Sequence, residues 1–519
     1  MAEIILIQPF TGQWDEMSTR FPESLLAVSA VPVAKGYDVK ILDQRVNKQF
    51  DADLADAVGP ETKIIGVTAI TGEQVKYAVR VTQACKQKFP YIPVCWGGVH
   101  ATLVPDQTAA HPLIDFVIVG DGDLVFCELF ERLRDNLPVD DLRGLVYKTD
   151  TGVLKSNVGN LVRKEHSSGY TYVRQNGNAD VLLDMDSLPD LPYDLIDLEE
   201  YNIFDTSKVL NAQKGLKSAT LNTARGCPYR CKFCSTPVIH EGRWRGFSPQ
   251  RVLEKVDILY KKYGYQMIYF QDDYFPGNKK RFIEILKGLT KYKRKLLWST
   301  LGVRADILSK FTDEEVELLY KSGCHSIDIG IESGNERVIK YINKGETLEQ
   351  MRTTNRKLAK YDIQAKYTLI VGFPNETEEE ILDTVRFAIE LEETNPHAYC
   401  IIFDFLPIMG TPFYEEAVKL GFETPERLED WEGMNYDNWM TKYPTWYSPE
   451  LIRKLEAISF VSYFHNKHAA YKFGGSKLLR LSFKLYHPIA RWRFKNMYFN
   501  NCFEITLKNW LLKIKYALR

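Results

Sequence analysis

The sequence predicts an α/β protein with two successive β/α series and a mainly helical C-terminal region. Short apolar runs rich in β-branched residues alternate with helical patterns from residue 4 to residue 119, and a second alternation begins at residue 216. Strands that alternate with helices pair in parallel sheets. The first series therefore predicts a doubly wound, Rossmann-like domain, and the six units of the second predict a partial (β/α)6 TIM-type barrel.

Each element follows from a local pattern. The strands of the first series are expected at Ile4–Ile7, Val39–Leu42, Ile64–Ile70, Val94–Trp96 and Phe116–Val119, with helices at Leu25–Ala34 and Glu73–Lys88. Residues 140–215 include LPDLPYDL, whose prolines disfavour helix, so an irregular connector is expected. Barrel strands are expected at Ser218–Thr223, Met267–Gln271, Trp298–Leu301, Ser326–Ile331, Tyr367–Val371 and Tyr399–Phe405. Helix starts are predicted at Ser248–Pro249 and at the capping boxes Thr312 with Glu315 and Thr377 with Glu380.

Length and composition limit the class of protein. At 519 residues the chain is expected to form about three domains. We place them at residues 1–139, 216–415 and 416–519, with residues 140–215 as a connector between the first two. The 45% apolar, 26% charged and 13% aromatic content excludes disordered, collagen-like and coiled-coil chains. Uncharged apolar runs stay below the ~18 residues of a membrane span, and the N-terminus lacks a signal-peptide pattern, so a cytoplasmic protein is expected. Nine cysteines are too sparse for a disulfide scaffold, so a close cluster points to metal or catalysis.

Small and polar residues follow the third, fourth and fifth predicted strands. In doubly wound sheets ligands bind beyond the carboxyl ends of the strands, so a large flat ligand is expected across these loops. The residues concerned are Thr68, Thr71, Gly72, Gly97, Gly98, His100, Gly120, Asp121, Gly122 and Asp123. The alternative is that the glycines only form turns. A dinucleotide site is not expected, because no GxGxxG sequence opens the first helix.

A cluster of three cysteines marks the end of the first strand of the second series. Cys227, Cys231 and Cys234 have C-x3-C-x2-C spacing within ARGCPYRCKFCSTP. A zinc site would need a fourth protein ligand, and the nearest histidine, His240, lies outside the usual paired spacing. Thiolates also hold iron–sulfur clusters, in which three cysteines leave one iron of a [4Fe–4S] cube open to a substrate.

The run RGCPYRCKFCS resembles the signature of radical SAM enzymes, with Phe233 as the aromatic residue before the last cysteine. In that family a [4Fe–4S] cluster binds S-adenosylmethionine, and one electron, supplied by a donor such as flavodoxin or ferredoxin, cleaves it to methionine and a 5′-deoxyadenosyl radical. Further stretches resemble the family's segments at strands two to six: QDDYF, STLGVRAD, GIESG, VGFPNET and LPIMGTPFY. The resemblance implies S-adenosylmethionine contacts at Phe233, Asp272, Asp273, Arg304, Glu332 and Gly372.

The N-terminal loops resemble those of the cobalamin-binding radical SAM subfamily, which includes anaerobic magnesium-protoporphyrin ester cyclases and hopanoid methylases. The matching stretches are TAITG, WGGVHAT and VGDGD. The resemblance implies cobalamin contacts at Thr68, Thr71, Gly72, Gly97, Gly98, His100, Gly120 and Gly122, with Gly98 allowing close approach of the backbone to the corrin. The cobalt-ligating D-x-H-x-x-G sequence of other cobalamin proteins is absent, so His100 is expected beside the corrin or its tail.

The function implied is a cobalamin-dependent radical SAM methyltransferase that methylates an unactivated carbon of a small-molecule or lipid-like substrate. The same cofactors could instead serve cyclisation, oxidation or rearrangement. A tRNA methylthiotransferase would need a second cysteine cluster, and Cys85, Cys95 and Cys127 are too widely spread. A noncatalytic cobalamin or metal-sensing module is an alternative from a different class.

The C-terminal stretch differs in charge from the rest of the chain. From Tyr471 to Arg519 there are eleven Lys and Arg against the single Glu504, so this stretch carries +10 and residues 1–470 carry −11. Basic and aromatic residues together suit a peripheral anionic membrane surface or, less well, nucleic acid. The alternative is a helical subdomain that packs its rings on the barrel.

Overall fold

Five parallel strands form the N-terminal sheet in the computed structural model, in the order β2-β1-β3-β4-β5. The structure describes residues 1–12, 19–148, 160–166, 169–175, 184–201, 216–434, 446–467, 477–500 and 505–506. The strands are β1 (Ile4–Gln8), β2 (Val39–Asp43), β3 (Ile64–Thr68), β4 (Val94–Gly97) and β5 (Phe116–Ile118). The helices are α1 (Glu23–Ala34), α2 (Phe50–Ala57), α3 (Glu73–Lys88), α4 (Val99–Leu103), α5 (Pro105–Ala110) and α6 (Val125–Arg134). Helices on both faces bury every residue of β1 and β3, so the doubly wound prediction is confirmed.

The sheet then continues into the region predicted to be irregular. Three strands extend the sheet beyond β5 in the order β5-β6-β8-β7, and each pairs antiparallel with its neighbour. They are β6 (Leu145–Lys148), β7 (Asn160–His166) and β8 (Gly169–Gln175). The expectation of an irregular connector is therefore wrong for these residues. Its prolines, Pro189 and Pro192, lie later, among the short 3-10 turns of residues 185–200. Edge strands with many polar residues, such as NLVRKEH of β7, carry a weaker signal than buried parallel ones.

The second series forms a six-stranded parallel sheet in the order β16-β15-β14-β13-β12-β9, as predicted for a partial barrel. Its strands are β9 (Ser218–Leu221), β12 (Met267–Phe270), β13 (Leu297–Val303), β14 (Cys324–Glu332), β15 (Gln364–Val371) and β16 (Ala398–Asp404); β10 (Ala224–Arg225) and β11 (Arg245–Gly246) form a separate antiparallel pair. The helices are α7 (Thr236–Ile239), α8 (Pro249–Asp257), α9 (Lys279–Leu289), α10 (Ala305–Leu308), α11 (Asp313–Lys321), α12 (Glu336–Tyr341), α13 (Leu348–Leu358), α14 (Glu378–Thr394) and α15 (Pro412–Lys419).

Side-chain caps fix where several barrel helices begin. Ser248 accepts a hydrogen bond from the Arg251 N–H at the start of α8. Thr312 with Glu315 and Thr377 with Glu380 form the two predicted capping boxes. Because these contacts satisfy N–H groups that have no partner inside the helix, they set the helix starts from local sequence alone.

In the described part of the C-terminal region two α-helices follow the barrel, Pro449–Ser462 and Lys477–Lys495. The first joins the barrel edge, since the Ser462 hydroxyl accepts the Ile402 N–H of β16 at 3.0 Å. The second packs on the first, and Phe494 stacks on His465 with ring centroids 3.8 Å apart. In the described part of the chain no helix is both long and apolar enough to cross a membrane.

Candidate functional site

The cysteine loop, residues 227–234, follows β9 and β10. Gly226 leads into it with a φ of +80°, and a Cβ atom there would lie 2.1 Å from the Arg243 carbonyl oxygen. Only glycine tolerates both the backbone angle and this close approach. Within the loop, the Lys232 N–H donates to the Ile342 carbonyl at 2.9 Å. The loop is therefore held by backbone contacts at both ends.

The thiols of Cys227, Cys231 and Cys234 are partly exposed, whereas the other five cysteines that the structure describes are buried. Burial raises the pKa of Cys231 to about 11, and the nearby cations Lys344 and Arg304 oppose that shift. Among the described residues, no three His, Cys, Asp or Glu side chains are grouped to hold one metal ion. An iron–sulfur cube binds each cysteine to a different iron, so three thiols along one accessible loop fit it by donor type.

The two carboxylates after β12 have different surroundings. Asp272 is 2% exposed and accepts hydrogen bonds from the N–H groups of Thr223 and Ala224. Burial raises its pKa to about 7, against the lowering by Thr223. Asp273 instead accepts the Gly226 N–H at 3.1 Å and faces a cavity. Asp272 therefore positions the chain that enters the cysteine loop, and Asp273 is the one with access to a ligand.

Glu332 and Arg304 lie in one buried ionic network. Glu332 adopts a φ of +68° beside a bulge in β14 after Gly330, which redirects its side chain. Its carboxylate pairs with Lys344 at 3.0 Å. Arg304 donates to the Lys344 carbonyl at 2.8 Å, and its guanidinium lies 3.5 Å from the Tyr229 ring centroid. The structure thus brings these two predicted residues together beside the cysteine loop.

Phe233 lies beside the residue that follows Gly372, although 139 positions separate Phe233 from Gly372 in the chain. The Phe233 ring lies 5.7 Å from the ring of Phe373, the residue after Gly372. Gly372 has a φ of +89°, and its N–H donates to Glu376 at 2.7 Å. The loop after β15 therefore packs against the aromatic residue of the cysteine loop.

Glu376→Gln is expected to remove a pH dependence of stability. Burial raises the pKa of Glu376 to about 8, although the N–H groups of Gly372 and Phe373 lower it, as does Arg337; Glu380 raises it further. The folded state then holds a proton that the unfolded state, with the ordinary pKa of 4.5, releases. Unfolding free energy should fall by up to about 1.4 kcal/mol per pH unit between pH 4.5 and 8.

Urea unfolding of both proteins from pH 5 to pH 8.5 checks this expectation. Glutamine keeps an acceptor for the two N–H groups but has no proton to lose. As the pH rises, the unfolding free energy of the variant should therefore increase relative to that of the unchanged chain. A difference between the two proteins that stays constant with pH would contradict the assignment.

A cavity of 410 Å³ lies at the carboxyl end of the N-terminal sheet, between it and the barrel. This volume is within the range of small-molecule and cofactor sites. The N-terminal wall includes Thr68, Gly97, Gly98, Gly120, Asp121, Gly122 and Asp123, and the barrel wall includes Arg225, Thr236, His240, Lys255 and Asp273. The predicted loops and the surroundings of the cysteine loop thus open into one space.

Three of the predicted cobalamin residues, Thr71, Gly72 and His100, are not part of the cavity wall. His100 is fully buried, and its Nδ1 lies 3.1 Å from the Thr71 hydroxyl. Its ring lies edge-on to Trp431 at 5.6 Å, and burial lowers its pKa to about 3. The structure places this histidine behind the wall, where it packs between loops.

The two adjacent glycines after β4 differ in what surrounds them. At Gly98 a Cβ atom would lie 2.8 Å from the Thr68 hydroxyl oxygen and 2.9 Å from the Ala69 carbonyl oxygen. Gly98 is therefore needed for a contact inside the domain, and not only for approach to a ligand as the sequence suggested. At Gly97 and Gly120 an added Cβ atom meets nothing within 4 Å. These two positions leave the cavity wall open.

Gly97→Trp is expected to reduce bound cobalamin at least tenfold, because a Cβ atom at this position meets no protein atom within 4 Å and the indole would take up space in the cavity. Corrin content by absorbance and iron content by colorimetry check this in the purified protein. Iron should be unchanged, since the cysteine loop belongs to the barrel and does not line the cavity. Normal corrin content in a folded variant would show that this loop does not border the cofactor.

A buried ionic junction joins the two walls. Arg225, next to the cysteine loop, donates to both carboxylate oxygens of Asp123 at 2.5 and 2.8 Å. Arg245 donates to Asp121 at 2.6 Å. Burial alone would raise the pKa of Asp123, but Arg225 more than offsets this and the pKa is lowered. His240 lies between the walls, 3.2 Å from Arg245. The aspartates of GDGD thus bind the barrel.

Sequence reasoning missed Arg225 and Arg245 as site residues. The available signal was charge: two arginines flank the cysteine run, and two aspartates lie in a glycine-rich loop of the first domain. Residue spacing carries no information about which arginine meets which carboxylate, because the partners are more than 100 positions apart. Only the packing of the two domains brings them together.

Comparison with known proteins identifies the two domains that border the cavity. A model of the radical SAM superfamily matches residues 221–388, which include the cysteine loop. A model of the B12-binding domain matches residues 22–130, which include the loops of the opposite wall. The chain joins a B12-binding domain to a radical SAM domain. Its cofactors are accordingly a [4Fe–4S] cluster, S-adenosylmethionine and cobalamin, and as a radical SAM enzyme it needs an electron donor.

Relatives of this chain carry different names. An uncharacterized methyltransferase of Pyrococcus horikoshii is 29% identical over 420 residues, covering 80% of this chain and 83% of the relative. An anaerobic magnesium-protoporphyrin IX monomethyl ester cyclase of Rubrivivax gelatinosus is 26% identical over 362 residues, covering 68% and 59%. The solved structure of the cobalamin-dependent S-adenosylmethionine radical enzyme OxsB is similar in fold, with a TM-score of 0.68 and 18% identity over 99% of this chain and 75% of that one.

Proposed function

We propose that this radical SAM enzyme transfers a methyl group from S-adenosylmethionine, by way of cobalamin, to an unactivated carbon of a small-molecule or lipid-like substrate. One observation carries the proposal. The cavity is bordered by Gly97 and Gly120 from the B12-binding domain and by Asp273 from beside the cysteine loop. A substrate in that space would reach both cofactors at once, as a transfer between them requires.

The residues of this chain have separate tasks in the proposal. Cys227, Cys231 and Cys234 would hold the cluster, and Asp273 would face the bound S-adenosylmethionine. The cluster and cobalamin supply radical and methyl-transfer chemistry when bound, and the protein supplies position and shelter from water. Asp272 serves that purpose by fixing the backbone of Thr223 that leads into the cysteine loop.

The cobalt is expected to lack a histidine ligand from the B12-binding domain. His100 is hydrogen-bonded to Thr71 and lies outside the cavity wall. Of the described residues, His240 is the one histidine in that wall, and it belongs to the barrel side. We further propose flavodoxin or ferredoxin as the electron donor.

Methyl transfer is favoured over the alternatives because the chain spans 83% and 85% of the first two methyltransferase relatives, whereas it spans 59% and 67% of two of the cyclases. Cyclisation, oxidation and rearrangement would use the same cavity and the same residues. The position of the substrate carbon relative to cobalt separates them. That position depends on the substrate.

Anaerobic turnover with methyl-labelled S-adenosylmethionine and a chemical reductant tests the proposal. Label should enter a product in parallel with formation of 5′-deoxyadenosine. A product that forms with 5′-deoxyadenosine but without label would establish one of the alternative radical reactions. Absence of 5′-deoxyadenosine from protein that holds iron, sulfide and corrin would favour a noncatalytic sensing module.

A further inference from the structure

The helix Lys477–Lys495 presents an apolar stripe to solvent. Leu481, Leu485, Ile489 and Trp492 are 53%, 69%, 48% and 56% exposed. Their spacing of four, four and three residues places them on one side of the helix. Scattered exposed apolar residues are ordinary, but a contiguous row along three turns of one helix is typical of an interaction surface.

The opposite side of this helix holds it on the protein. Phe483, Ala490 and Phe494 are 6%, 0% and 1% exposed. Phe494 stacks on His465, and Phe483 stacks on Phe464 at 5.8 Å. The stripe is therefore a second apolar face, which the packing of the helix does not use. The sequence offered a membrane-binding surface and a packed helical subdomain as alternatives. The helix is compatible with both, because one side packs on the protein and the other side is exposed.

Basic residues border the stripe along one edge. Lys484, Arg491 and Lys495 are exposed and follow one another at seven and four positions, so they share a side next to the stripe. Lys495 also bonds Glu393 at 3.0 Å. The helix contains no Asp or Glu. An apolar row with a cationic border complements an anionic lipid surface, in which acyl chains meet negatively charged headgroups.

We propose that this stripe docks the protein on an anionic membrane surface, with the helix lying in the plane of the interface. Trp492 lies at the C-terminal end of the stripe, in contact with the Tyr498 ring at 5.7 Å, and such rings prefer headgroup depth. Nucleic acid fits less well, because three of the four stripe residues are aliphatic and cannot stack on bases. The proposal does not depend on the reaction catalysed.

Cosedimentation of the full chain with phosphatidylglycerol-containing vesicles tests it. The unchanged chain should sediment with these vesicles at low salt, less at high salt, and little with pure phosphatidylcholine. The combined variant Leu481→Gln, Leu485→Gln, Ile489→Gln and Trp492→Gln should lose at least tenfold in the bound-to-free ratio. Glutamine has good helix propensity, and each stripe residue is at least 48% exposed, so the fold should be kept.

A matched control removes exposed apolar residues elsewhere, namely Tyr91, Leu137 and Val418, which are 71%, 55% and 41% exposed. That variant should sediment like the unchanged chain. A second variant, Lys484→Gln with Arg491→Gln, should weaken binding only to anionic vesicles. Truncation at Ala470 is a poorer test, because it would also expose Phe464 and His465.

Equal sedimentation of the stripe variant and the unchanged chain would overturn the proposal, as would failure of the unchanged chain to bind any vesicle. Sedimentation velocity without vesicles tests whether a second copy of this chain, and not a membrane, binds the stripe. If the unchanged chain self-associates and the stripe variant is monomeric, the stripe is an interface between copies and the membrane proposal is wrong. Stronger retention on RNA than on vesicles would likewise overturn it.

Discussion

Replacing Cys231 with alanine is expected to abolish S-adenosylmethionine cleavage. The substitution removes one of three thiols on a loop whose ends are fixed by Gly226 and by the contact between Lys232 and Ile342. No described cysteine other than Cys227 and Cys234 is exposed enough to replace it. Iron and sulfide should fall to background, and 5′-deoxyadenosine under dithionite should fall by a factor of at least 1,000.

Cobalamin content should be unaffected in this variant, because the loops around Gly97 and Gly120 belong to the other domain. Cys127→Ala is the matched control: this cysteine is 1% exposed in the core and lies on α6. Its loss should lower stability without changing iron content. If Cys231→Ala retained a cluster and cleaved S-adenosylmethionine, the ligand set would have to be reassigned.

The fold was largely predictable because its signals are local. Several buried parallel strands contain a continuous apolar run, such as IILI of β1, and the capping boxes at Thr312 and Thr377 mark helix starts within four residues of sequence. The antiparallel extension β6-β8-β7 was missed for the opposite reason. Strand β6 has only four residues, the seven-residue strands β7 and β8 contain many polar and charged residues, and their pairing depends on the edge of a sheet formed by distant residues.

The candidate site was predictable only in part. The cysteine loop and the glycines at Gly97 and Gly120 follow from motifs that must lie at strand ends. The different surroundings of Asp272 and Asp273 could not be predicted from two adjacent aspartates in the sequence. They depend on the fold, which brings the Thr223 N–H to Asp272 and the Gly226 N–H to Asp273. His100 was similarly ambiguous: the same motif suits a ligand contact or a buried histidine bonded to Thr71.

Arg225→Ala is expected to uncouple the two domains. Arg225 and Asp123 form a two-bond pair whose side chains are 20% and 5% exposed. Removing the guanidinium leaves Asp123 as a buried carboxylate that has lost its main partner, which typically costs about 3–5 kcal/mol. Urea unfolding should show a loss of that size. Exposed pairs are worth about 1 kcal/mol or less, so Arg386→Ala, which breaks surface pairs with Glu379 and Asp383, is the control.

The functional consequence separates the junction from a purely structural contact. Arg225 adjoins the cysteine loop and Asp123 lies in a loop that we propose borders the cobalamin, so the pair is expected to set the distance between the two proposed cofactor sites. Under conditions where the variant is folded, it should keep its iron and corrin and still form 5′-deoxyadenosine, while labelled product falls at least tenfold more than 5′-deoxyadenosine does. Arg225→Lys keeps the charge but not the two-bond geometry, so partial recovery of stability without recovery of product is expected. If product and 5′-deoxyadenosine fell together in both variants, the junction would serve folding alone and would not align the cofactors.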